Sequence, residues 1–228
     1  MNSNTIPNVQ LPLFGYGEPT ESNTEVLWVV WNATECLASP DVLTRQHGID
    51  AILDLKAHKV SPLVAFMLAT RLSDENIYIR RRVLYILADL ITWEAGEQPV
   101  TDNIRMAVTH YLHDMSEETV LGLLEVAVMD AEAEKAIYHI LNMCPFAGKY
   151  LGNVLTEWKN PLPIRQKAIH FIGMVGYMEM LPVLERLLDR LETRQHGQFS
   201  MSFAPSSTRS DEDIIPYLRI AINQMSAR

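Results

Sequence analysis

Residues 79–90 read IRRRVLYILADL, with apolar side chains at Ile79, Val83, Ile86, Leu87 and Leu90, three and four residues apart. That spacing puts them on one face of an α-helix, the face a helix must bury. Two other stretches repeat the pattern: TRQHGIDAILDL at 44–55 and IRQKAIHFIGMV at 164–175. In each, an arginine holds the second position, as Arg45, Arg80 and Arg165. AEAEKAIYHILNM at 131–143 and IIPYLRIAINQM at 214–225 keep the apolar register but carry Ala133 and Ile215 in the arginine's place. Self-similar helices of this kind imply units that cannot bury their apolar faces alone and must stack on their neighbours.

Working outward, helical spacing continues on both sides, broken at Ser39-Pro40, Ser61-Pro62, Gly96 to Pro99, Pro145, Asn160-Pro161 and Pro182. It predicts helices near 24–38, 40–57, 60–73, 76–92, 101–114, 117–129, 131–143, 146–158, 161–176, 178–192 and 211–226, and no strand. Positions 45, 80, 133, 165 and 215 are separated by 35, 53, 32 and 50 residues. The short intervals fit one helix pair each. The first long interval takes in the additional helix 101–114, and the second takes in residues 193–210, TRQHGQFSMSFAPSSTRS, read as a long C-terminal loop. Residues 1–23, rich in proline and glycine between Pro12 and Pro19, read as a flexible N-terminal tail ahead of a repeat domain over 24–228.

A first helix, a short turn bearing Asp or Pro, and a second helix opening on a hydrophobic residue and arginine, as in LSDENIYIRRRVLYILADL and WKNPLPIRQKAIHFIGMV, resemble the HEAT-repeat family in its bacterial HEAT-like form. The resemblance covers nearly all of 24–226. It implies an all-α, right-handed α-solenoid of about five helix pairs, used mainly as a scaffold for other proteins and sometimes for nucleic acids. In that family the arginine commonly bonds to turn carboxylates between repeats, which carries a repeat-stacking role to Arg45, Arg80 and Arg165, with Asp41 and Asp74 as the facing acids.

Composition narrows the function classes. The chain has 228 residues, 48% of them hydrophobic, and a formal net charge of -9, which disfavours a broad footprint for nucleic acid or anionic membrane. Cys36 and Cys144 lie within apolar helical patterns and read as buried, reduced thiols. The N-terminus lacks the basic start and apolar run of a signal peptide, and no stretch reaches the roughly 18 apolar residues of a membrane span. The expected setting is the bacterial cytoplasm, with a monomer as the default state.

Sites of chemistry are few. His110 and His113, followed by Asp114, have a spacing that could present ligands on one helical face, but no further ligand joins them by motif. Glu125, Asp130, Glu132 and Glu134 cluster around one turn and read as ordinary charged helix ends, and His139 and His170 read as packing or surface residues. No phosphate-binding glycine loop, nucleophile elbow or paired zinc motif occurs, so no cofactor or metal is expected.

The tail holds the sharpest functional motif. Gln10-Leu11-Pro12-Leu13-Phe14 resembles the Gln-Leu-x-Leu-Phe peptide by which bacterial replication and repair proteins dock on the sliding clamp. Its leucine and phenylalanine anchors would fill an apolar groove, or alternatively tuck against the first helix. The leading expectation is a non-catalytic protein–protein interaction scaffold. The alternatives are a clamp-docking factor using Gln10, Leu11, Leu13 and Phe14, and a small enzyme of the HEAT-like bilin lyase or DNA glycosylase type. The enzyme reading would need a cleft combining Trp28, Trp31, Trp93 or Trp158 with an acid.

Overall fold

The structure is a computed structural model that describes residues 21–92, 101–198 and 212–227, leaving aside the side chains of 21–27 and 195–198. Among the described residues it is all-helical, with eleven α-helices and no strand. They are α1 (Glu21–Leu37), α2 (Val42–Asp54), α3 (Pro62–Ala69), α4 (Ile77–Ile91), α5 (Asp102–His113), α6 (Glu117–Met129), α7 (Glu134–Leu141), α8 (Ala147–Thr156), α9 (Leu162–Val175), α10 (Leu181–Gln198) and α11 (Ile215–Ser226). Each matches one segment read from the apolar spacing.

Capping residues set the boundaries. Asp41, Ser61 and Ser116 accept hydrogen bonds from the backbone N–H of Thr44, Val64 and Thr119, at 2.8, 3.3 and 3.2 Å, and so start α2, α3 and α6. Gly176 ends α9 with φ 85, a left-handed conformation in which its N–H returns to Ile172. Two boundaries depart from expectation: α1 begins at Glu21, within the stretch read as tail, and α10 runs on to Gln198, so 193–198 are helical rather than loop. Residues 193–198 are polar all round, and a helix without an apolar stripe leaves no periodic trace in sequence. The rest of the expected loop, from 199 to 210, lies outside the described residues.

The described residues fall into two compact units. The first takes those within Met1–Arg71 and Asp89–Tyr111, and the second those within Leu72–Ala88 and Leu112–Arg228. In the first, α1 packs on α2 and α3, burying Val30, Ala33, Leu37, Ile49, Ile52, Val64 and Leu68. Gly48 permits the α1–α2 approach, since a Cβ there would lie 2.7 Å from the Ala33 carbonyl oxygen. In the second, α9 packs against α6, α7, α8 and α11, and α10 packs on α11, around a core that includes Leu123, Ile137, Leu155, Phe171, Ile172 and Leu218. Each such aliphatic or aromatic side chain stabilises the fold by roughly 1.5–3 kcal/mol relative to exposure.

The five aligned segments share one buried position. Arg45, Arg80, Ala133, Arg165 and Ile215, the equivalent positions of the five copies, are all between 0 and 8% exposed. Within α4, Ile79, Val83, Leu87 and Leu90 are buried as read, while Ile86 is half-buried and Leu84 is buried in addition. Both cysteines are free: Cys144 is buried, with burial pushing its thiol pKa up, and Cys36 is only half-buried. No helix among the described residues is long and apolar enough to cross a membrane.

Candidate functional site

Arg45, Arg80 and Arg165 are buried and bond to backbone carbonyls. Arg45 Nη1 donates to the carbonyls of Ser39 (2.9 Å) and Pro40 (3.0 Å), six and five residues back. Arg80 Nη1 makes the same pair with Asp74 (2.8 Å) and Glu75 (3.1 Å), and its Nη2 bonds to Glu125 Oε2 from α6. Arg165 Nε donates to the Leu155 carbonyl at 2.9 Å. Turn carbonyls left over between two helices thus satisfy a buried cation, and the cation satisfies them.

The turn acids also bond within their own turns. Asp41 accepts from the Thr44 hydroxyl (2.7 Å) and N–H, and those bonds hold its carboxyl below the ordinary range. Asp74 accepts from the Asn76 N–H at 2.9 Å.

In the second unit, the residues just past the arginine position face outward and build a linked polar surface. Arg81 Nε (2.5 Å) and the Tyr85 hydroxyl (2.8 Å) both donate to Asp130 Oδ2 at the end of α6, and the Arg81 guanidinium lies 5.7 Å from the Tyr85 ring centre. The Arg81 bond, then the Tyr85 bond, hold the Asp130 carboxyl below its usual range, while burial first and Asp130 second push Tyr85 up. Glu134, opening α7, receives Lys167 Nζ on Oε1 and stands 3.3 Å from His170 Nε2 through Oε2. Burial pushes the Glu134 carboxyl up, but Lys167 and His170 outweigh it, so the group titrates below its ordinary value.

Tyr85, Tyr138 and His170 each stand five residues past the arginine position of their copies, and Lys167 and Tyr217 two past. A recess of about 360 Å³ opens beside Lys167, His170 and Tyr217, with a polar floor of Glu134, Gln166, Lys167 and His170 and an apolar rim of Val128, Pro163 and Tyr217. A larger, more open groove of about 640 Å³ lies between α6 and α8. It is lined by Glu117, Glu118, Leu121, Asn153, Val154, Thr156, Glu157 and Asn160, with Asn153 Nδ2 donating to Glu117 Oε2 at 2.8 Å.

Sequence reasoning missed most of this surface. Glu125, Asp130 and Glu134 are not idle helix ends, since each grips a cation from a neighbouring helix. The available signal was the shared Lys-Ala-Ile of 135–137 and 167–169, which marked Lys167 as belonging to a repeated register. His139 is half-buried against Tyr138, with ring centres 5.4 Å apart. His110 is exposed, and His113 Nδ1 meets Asp114 Oδ1 at 2.9 Å in an exposed pair. Among the described residues no group of three or more His, Cys, Asp or Glu side chains could hold a metal ion. Trp28, Trp31 and Trp158 are exposed, and none lines either cavity of the second unit; Trp93 lies outside the described residues. Gln10, Leu11, Leu13 and Phe14 also lie outside them.

Compared with the known protein families, the curated proteins and the solved structures, the chain matches none.

Proposed function

We propose that this chain is a non-catalytic interaction scaffold of the bacterial cytoplasm, built of about five HEAT-like helix pairs stacked as a right-handed α-solenoid. The buried arginine position recurring through five copies supports the stacking. The observation that carries the function is the recess among α7, α9 and α11: its polar floor is fixed in place by the pairing of Glu134 with Lys167 and His170, and its apolar rim is open to solvent. A pre-formed pocket with an apolar rim and few, oriented polar groups suits a side chain inserted by a partner protein, because little ordering remains to oppose binding.

Affinity purification from native extract tests this reading when the full chain is compared with Lys167→Glu and Tyr217→Ala. A partner recovered with the parent chain and lost from both variants supports it. Recovery of the same proteins by all three, or a chain that emerges alone and turns over a small molecule, contradicts it.

A second reading rests on Gln10-Leu11-Pro12-Leu13-Phe14. In it the chain is recruited to replication or repair by the sliding clamp. Binding of the full chain to purified clamp, abolished by Leu13→Ala with Phe14→Ala, is its expected result; no binding at high micromolar concentration removes it.

A further inference from the structure

Between α2 and α3 the chain makes a turn that its surroundings hold in place. Lys56 carries φ 52, in the left-handed region that glycine occupies freely and lysine does not. Straight after it, the short 3-10 turn Ala57–Lys59 packs on α2 and α3 and buries His58, which is only 5% exposed. The outer tie of the turn is Lys59 Nζ to Asp89 Oδ2 at 3.4 Å, a pair open to solvent and therefore weak.

The surroundings of His58 suit a neutral ring. Its backbone bond is made at Ile52, near the end of α2, and its Nδ1 finds no hydrogen-bond partner among the described residues. Helix α3, Pro-Leu-Val-Ala-Phe-Met-Leu-Ala, offers no titratable side chain. The charged groups that act on the ring are Lys59 of its own turn, which opposes protonation, and Asp89 of α4, which favours it but already faces Lys59. An added proton would set an imidazolium among apolar side chains with no carboxylate of its own. Burial accordingly holds the pKa of His58 below the ordinary 6.5.

We propose that this turn is an acid-operated latch: protonation of His58 detaches Ala57–Lys59 and α3 from α1 and α2 while the second unit stays folded. Opening sets the imidazole in water and uncovers the apolar seam of Val64, Ala65 and Leu68. Lys56 favours a discrete movement, since the packing that imposes its positive φ is lost in the same step. The closed form binds the proton less well than the open form. The latch is therefore shut above about pH 6.5 and loosens as the pH falls toward the closed-form value. With the open ring titrating at its ordinary value, the opening equilibrium rises by up to about 30-fold between pH 7.5 and pH 5.

Hydrogen exchange of the full chain at the two pH values, corrected for the intrinsic pH dependence of amide exchange, tests the latch. Amides of α3 lose protection at pH 5 by a factor approaching that limit, those of α8 and α9 keep theirs, and return to pH 7.5 restores the loss. His58→Gln, which carries no titratable proton, abolishes the change, and His58→Phe, which fills the space without a polar atom, abolishes it independently. Unchanged protection of α3 at pH 5 overturns the proposal, as does a loss shared equally by α8 and α9. So does a loss that persists in either variant that keeps the parent's helical circular dichroism at pH 7.5.

Discussion

Near the starts of α4 and α7 lies the same aligned position, and the two turns are closed by opposite means. At α4 the position is Arg80, whose guanidinium ties the carbonyls of Asp74 and Glu75 and reaches across to Glu125. At α7 it is Ala133, fully buried, and the turn is closed instead by Asp130, whose carboxylate accepts from the Glu132 N–H at 3.0 Å while holding Arg81 and Tyr85. What the copies share is a buried position one residue into the repeat. Arginine is one way to fill it, and the α2 turn, with Ser39 and Pro40 in place of Asp74 and Glu75, achieves the same carbonyl pair with different side chains.

If that comparison is right, removing Arg80 has the largest effect. Arg80→Met leaves two turn carbonyls without their donor and Glu125 without its cation, and the expected loss is about 3 kcal/mol in urea unfolding. A loss under about 1 kcal/mol would mean that water serves the turn equally well and that the arginine is incidental. Ile215→Ala probes the arginine-free solution, where only packing is at stake. Cavity formation should cost about 2 kcal/mol with no change in the pH dependence of stability.

His58 sharpens the contrast from the other side, as a buried base whose burial outweighs its backbone hydrogen bond at Ile52. Its Nδ1 finds no hydrogen-bond partner among the described residues, and burial holds its pKa below the ordinary 6.5. A folded-state pKa lowered in this way means that the unfolded chain takes up the proton first. Stability is therefore full above about pH 6.5 and falls as the pH drops toward the folded-state value. Urea midpoints measured at neutral pH and near pH 5 should converge in His58→Leu relative to the parent chain. An unchanged difference would place the acid sensitivity elsewhere.

Much of the fold was legible because apolar periodicity records what a helix buries. Ile79, Val83, Leu87 and Leu90 announce their face, and Ile215 keeps the arginine's place by hydrophobicity alone. The end of α10 was not legible, since Arg194 through Gln198 carry no apolar stripe to betray a helix. The candidate site was hidden for another reason: Glu134 meets Lys167 and His170 only after α7 and α9 pack together, and no local pattern encodes a pairing more than thirty residues apart. Trp28 and Trp31 show the limit from the opposite direction. Their hydrophobicity suggests an interior, yet their position on α1 turns them outward.

A photo-crosslinking residue placed at Tyr217 of the full chain, and separately at Trp158, tests the docking role of the recess most directly in the native cell. The account predicts a discrete adduct with another protein from position 217 that Lys167→Glu abolishes, and none of that mass from 158. No adduct from 217, or the same adduct from both positions, would contradict it.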